Sequence, residues 1–138
     1  MAQEVELTID GQLYDKVHSV VYELFTPHDD SDGKPSNVPR GLKLKITRES
    51  DDNIGIAKWA FDSSQVNRKA GTVLFRDPNL KKDLKELTWE NGFVTHYEEH
   101  VPSTAQSADE QMYEYFEISA ELVQINGEAR YEKDWKGK

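Results

Sequence analysis

The chain has 138 residues, 26 acidic against 17 basic for a net charge of −9 at pH 7, and no cysteine. That length suits a single domain spanning residues 1–138, able to bury roughly two-thirds of its unfolded-chain surface in one core. The acidic balance opposes non-specific attraction to nucleic acid or anionic membrane, and without thiols no disulfide framework, Cys-ligated zinc or thiol nucleophile can be built. No apolar run approaches the ~18–20 residues that span a bilayer, so neither nucleic-acid binding nor membrane insertion is expected. The opening Met-Ala-Gln-Glu-Val-Glu-Leu lacks the basic-then-apolar order of a signal peptide. The expectation is a protein made in the cytoplasm that leaves, if it leaves, without a cleaved leader.

Val5, Leu7 and Ile9 alternate with Glu6 and Thr8 up to Asp10-Gly11, a strong hairpin signal. The return strand is read over 13–25, where Val17, Val20, Val21, Tyr22, Leu24 and Phe25 put apolar residues on both faces. One face of an antiparallel sheet normally meets water, so two-sided apolarity predicts a surface covered by another chain. Residues 26–39, with three prolines and a glycine, read as a long exposed loop. Loops of that length in compact domains are usually functional.

The next stretch changes period halfway. Leu42, Leu44 and Ile46 point one way while Lys43, Lys45 and Thr47 point the other, as a strand with one dry face requires. Ser50, Asp51 and Asp52 then offer acceptors and negative charge at a helix start, and Ile54, Ala57, Lys58 and Phe61 follow at helical spacing. A helix this short is marginal alone, and Gly55 costs it a further ~1 kcal/mol relative to Ala. It must therefore dock, with Trp59 and Phe61 as anchors.

Gly71 to Asp77 reads as a strand, and the Lys-rich segment from Leu80 to Glu86 as either a helical turn or the entry to the next strand. Leu87 to Glu90 alternates, Asn91-Gly92 marks a tight hairpin or a bulge, and Phe93 to Val101 continues as strand. Residues 102–110 form a second polar loop. The last long strand, 112–125, places Met112, Phe116, Ile118, Ala120 and Leu122 on one face and Tyr113, Tyr115 and Val123 on the other. Asn126-Gly127 turns again, and 128–138 is a tail that either lies along the body or frays. The fold class is mainly β, a small antiparallel β-barrel flanked by one short helix.

His96-Tyr-Glu-Glu-His100 matches a zinc-peptidase pattern, but that chemistry needs two histidines one helical turn apart. On a strand, four residues separate the rings by roughly 13 Å, too far for one zinc. His28-x-Asp30-x-Asp32-Gly33 resembles the start of a calcium loop, yet its twelfth position is Pro39 where a bidentate Glu is needed. A solvated acidic turn accounts for it. Glu98 and Glu99 are neighbours that point to opposite strand faces, which does not suit general acid–base work. No serine sits in a Gly-x-Ser-x-Gly elbow, and Lys43, Lys45 and Arg48 form a small basic row without interleaved aromatics. No catalytic, cofactor-binding or metal residues are assigned, and the chain is read as non-enzymatic.

In order along the chain, Asp10-Gly11, the proline-bearing loop, Val38-Pro-Arg-Gly-Leu-Lys-Leu-Lys-Ile-Thr-Arg-Glu-Ser50, Trp59-Ala-Phe61, Gly71-Thr-Val-Leu-Phe75, Leu84-Lys-Glu-Leu-Thr-Trp89, Phe93-Val-Thr-His-Tyr-Glu98 and Phe116-Glu-Ile-Ser-Ala120 resemble the tube proteins of type VI secretion systems. This is the Hcp, or TssD, family, and the likeness is to its divergent, shorter branch. It implies a β-barrel with one helix, assembling as a homo-hexamer into rings that stack into a hollow tube. A contracting sheath would expel that tube from the cytoplasm with its spike, after assembly on a baseplate, and its lumen would hold effector cargo. The resemblance also assigns the loop to contact with the neighbouring ring, so Asp29, Asp30, Asp32, Lys34 and Arg40 are expected to set ring stacking. Two other readings stay open: a tube subunit of a phage tail or another contractile injection particle, and a monomeric barrel binding a small ligand among Tyr22, Trp59, Trp89, Phe93 and Phe116.

Overall fold

The computed structural model describes residues 4–26, 41–62, 67–77, 79, 81–102 and 112–132. They form strands β1 (Glu4–Ile9), β2 (Gln12–Tyr14), β3 (Val17–Phe25) and β4 (Gly41–Glu49), helix α1 (Gly55–Phe61), then β5 (Lys69–Asp77), β6 (Lys82–His100), β7 (Tyr113–Ile125) and β8 (Ala129–Glu132). All pairings are antiparallel and make one sheet in the order β2-β1-β5-β6-β7-β4-β3, with β8 beside the far end of β7. Among the described residues the sheet is not closed into a barrel: β2 and β3 end its main path, and β8 is a short further edge beside β7.

Alternation builds most of it. Leu7 and Ile9 of β1, Leu44 and Ile46 of β4, Val73 of β5, Leu87 and Trp89 of β6, and Phe116 and Ile118 of β7 meet in one apolar core. Their period of two is the reason these segments are strands: each buries one face and leaves the other wet. The expected return strand over 13–25 is two strands. After the tight turn at Asp10-Gly11, β2 runs only three residues, and Lys16, with φ of 61°, breaks the chain and sends β3 to the opposite edge.

Asn91-Gly92 is a bulge inside one continuous 19-residue strand, not a hairpin. Asn91 takes the left-handed conformation at φ 55°, and its side-chain amide donates to Glu121 Oε1 at 2.8 Å. Burial shifts phase at this level in both paired strands: Leu87 and Trp89 are followed by Gly92, and Ala120 by Glu121 and Val123. A single left-handed residue thereby turns the other face of the β6–β7 ribbon toward the core. Trp89 lies against the bulge, its indole N–H donating to the Lys69 carbonyl at 3.0 Å. Gly71 is required opposite it, because a Cβ there would stand 2.3 Å from the indole ring.

The strand-to-helix connection differs from expectation in its details. The acceptors that start the helix are Asp51, bonded by the Asn53 amide, and Asn53, bonded by the Gly55 amide, each at 3.0 Å. Ser50 and Asp52 make no such bond among the described residues. Helix α1 buries Ile56 and Trp59, while Phe61, expected as an anchor, is 82% exposed and Ile54 62% exposed. The docked stripe is thus rotated from the one read in the sequence. Gly55 also has a local reason: a Cβ there would meet the Tyr14 hydroxyl at 2.2 Å.

Candidate assembly surfaces

The outward side of β4, β7 and the last third of β6 is a polar wall. Lys43 Nζ lies 3.2 Å from Glu117 Oε1, and the Tyr115 hydroxyl donates to Glu117 Oε2 at 2.7 Å. Lys45 pairs with Glu23 at 2.7 Å, and His96 Nε2 with Glu98 at 2.9 Å. The hydrogen bond from Tyr115, helped by Lys43, holds the Glu117 carboxyl below its ordinary value. Partial burial and that same bond push the Tyr115 hydroxyl up to about 12. These are charges satisfied within one face, so the basic row read from Lys43 and Lys45 is a paired surface.

Arg48 does not belong to that row. It shares the phase of Leu42, Leu44 and Ile46 and lies buried, donating through Nη1 to buried Glu114, through Nη2 to Asp51 at 3.2 Å and through Nε to the Asp15 carbonyl at 3.1 Å. Tyr97 donates to the other Glu114 oxygen at 2.8 Å, and the guanidinium sits 5.5 Å from the Tyr14 ring centre. Burial opposes the Arg48 charge, and Glu114 and Asp51 outweigh it, raising its pKa. Asp51 is lowered by the Asn53 amide first and by Arg48 as well. This cluster ties β4, β6, β7 and the turn before α1 together.

His96 and His100 sit on strand β6, His100 stacked on Tyr113 at 4.9 Å and His96 edge-on to Tyr115 at 5.9 Å. That is not the helical arrangement of the zinc-peptidase pattern, and among the described residues no group of three or more His, Asp or Glu stands together to hold a metal. Trp59, Trp89 and Phe116 are buried in the core, with Tyr22 packed against it. Asp29, Asp30, Asp32, Lys34 and Arg40 lie outside the described residues.

The sheet edge is the other surface. β3 pairs with β4 on one side and has no strand on its other side among the described residues. Val21 and Leu24 on it are 51% and 52% exposed. No helix among the described residues is long and apolar enough to cross a membrane.

Over residues 1–136 the chain matches the family model described as hemolysin coregulated protein Hcp (TssD). It is similar to Hcp1 from Flavobacterium johnsoniae, with 28% identity, a TM-score of 0.81, and coverage of 94% of this chain and 99% of that one. A structure of Hcp1 from E. coli EAEC 042 matches at 15% identity and TM-score 0.70, covering 97% and 99%. The sheath/tube terminator of an extracellular contractile injection system, PVC, shares the fold at 13% identity and TM-score 0.63, covering 89% and 93%. No curated protein matches the chain.

Proposed function

The chain belongs to the Hcp (TssD) family, the tube proteins of type VI secretion systems, and from that premise we propose that it closes into hexameric rings which stack into a hollow tube. Sheath contraction expels the tube with its spike, the baseplate is where it is built, and effector proteins travel in its lumen. The subunit works by assembly, without a catalytic step. It is assembled in the cytoplasm and reaches the outside on firing.

The observation that carries this reading is the open edge of β3. A nine-residue strand that pairs only with β4 among the described residues, and that carries half-exposed Val21 and Leu24, is a template for another chain. A head-to-tail contact of this kind, repeated by rotation, closes a ring. The likeness in fold to the PVC terminator favours the same assembly logic. In this reading Asp29, Asp30, Asp32, Lys34 and Arg40 adjust stacking between rings. The test is Val21→Glu with Leu24→Glu, followed by light scattering and a thermal melt. Folded single chains from the variant and rings from the parent are expected; rings of unchanged mass from the variant would overturn the role of this edge.

A further inference from the structure

Between the β1–β2 turn and helix α1 the surface sinks into a cavity of about 370 Å³, open to solvent on one side. Tyr14 lines it and is only 4% exposed, yet among the described residues its hydroxyl has no firm partner. It donates to Gln12 Oε1 at 3.5 Å, well beyond the ~2.5–3.0 Å of an ordinary O–H···O bond. Burial pushes the pKa of that hydroxyl up, so it keeps its proton and remains a donor. Gly55 keeps it reachable. That glycine borders the same cavity, and a Cβ on it would stand 2.2 Å from the Tyr14 hydroxyl oxygen.

Charges of both signs stand around this hydroxyl. Lys58, in the last turn of α1, is exposed, and its side chain makes no hydrogen bond or ion pair among the described residues. Asp62 follows it one turn later, and on the strand side Asp10 pairs with Lys69 at 3.2 Å, an exposed pair that exchanges partners at little cost. The dipole of α1 favours a cation at Lys58 by itself, but it accounts neither for the buried hydroxyl nor for the missing Cβ beside it. The volume lies near the lower end of ligand cavities, which run from ~300 to ~1,000 Å³, and so selects a small molecule. A purely anionic ligand would meet Asp10 and Asp62, and a purely cationic one Lys58 and Lys69, so a ligand carrying both charges is favoured. The geometry points to a site for a free α-amino acid, its carboxylate held between Lys58 and the Tyr14 hydroxyl and its ammonium toward Asp10 and Asp62. The side chain of the ligand faces the open mouth and is little selected. A molecule held there ties the β1–β2 turn to a helix too short to be stable alone, so binding also stabilises the fold. The site goes beyond the tube reading and does not depend on it.

The probe is L-alanine, beside N-acetyl-L-alanine, which lacks the ammonium, and L-alanine amide, which lacks the carboxylate. Binding to the full chain is followed by ligand-observed saturation-transfer NMR, which reads weak ligands on single chains and on large particles alike, and by the shift in melting temperature. L-Alanine is expected to bind saturably and to raise the melting temperature of the parent, and each capped form to bind at least tenfold more weakly. Lys58→Gln is expected to weaken L-alanine at least tenfold while leaving the affinity of the amide unchanged, because the amide has no carboxylate to lose a partner. Lys85→Gln, the same loss of charge at another exposed position, is expected to change nothing. No saturable binding by the parent, equal binding of the capped forms, or equal weakening by Lys58→Gln and Lys85→Gln would each overturn the site. Tyr14→Phe is expected to weaken L-alanine severalfold. Should that variant fail to fold, Lys58→Gln still decides, because it removes a side chain without a polar contact among the described residues. Particle mass is measured on the same samples: binding by a parent that forms no rings would uphold the site while removing the tube reading.

Discussion

Arg48 lies buried with three partners, a place its charged neighbours in sequence argue against. Grouped by charge it joins Lys43 and Lys45; grouped by phase it joins Leu42, Leu44 and Ile46, and phase decides its place. The same rule puts Glu114 in line with Phe116 and Ile118. A period of two was therefore visible for both, and what hid them is that charge argues for water until a partner is known. Removing one member of a buried pair strands the other. Arg48→Met is expected to lower unfolding free energy by ~3–5 kcal/mol, and adding Glu114→Gln to restore part of it, both read from urea unfolding. A loss below ~1 kcal/mol would show that Glu114 finds other support. Glu117 gives a pH dependence of known sign. Its folded-state pKa is depressed, so its contribution is present above the ordinary carboxylate value of ~4.3 and is lost as pH falls through the lower folded value. Glu117→Gln should melt below the parent at pH 7, with the gap closing toward pH 3; a constant gap contradicts this.

At the scale of elements, β1, β4 and most of β7 could be read because each has one dry face, which writes alternation into the sequence. Helix α1 was legible as a helix but not in its orientation. Ile54, Ala57 and Phe61 and the pair Ile56 and Trp59 are two stripes of similar apolarity, and tertiary contact chooses between them. Tyr14 and the Asn67 carbonyl, which accepts from the Trp59 indole at 3.0 Å, settle the choice. Ile56→Ala is expected to destabilise the protein by ~2–5 kcal/mol and Phe61→Ser to stay within ~0.5 kcal/mol, compared by thermal and urea melts of ring-free samples. The reverse order would mean that the helix docks by its other stripe. The bulge at Asn91-Gly92 was marked by its residue types, yet its effect required knowing that β7 lies alongside. Only then does the simultaneous change of phase in β6 and β7 become visible.

For the whole molecule, strand order was not written locally. β1 lies beside β5 and β4 beside β7, pairings between segments far apart in sequence that are set by which faces must be buried together. That the sheet is not closed among the described residues, with β3 paired there only to β4, follows from this order and bears directly on assembly, because a closed barrel would have no such edge to offer. The ordered resemblance along the chain nonetheless carried the family, since many weakly specific segments in one order are jointly specific. The stretch over 26–39 was read as a loop from its composition; past Thr26 it lies outside the described residues, and its place in assembly belongs to the proposal. The most direct test of the central claim is the mass of the purified protein by light scattering, with negative-stain images of the same sample. Particles of six chains with a central hole are the predicted result; a single-chain mass persisting at high concentration, with no ring in the images, would contradict the account.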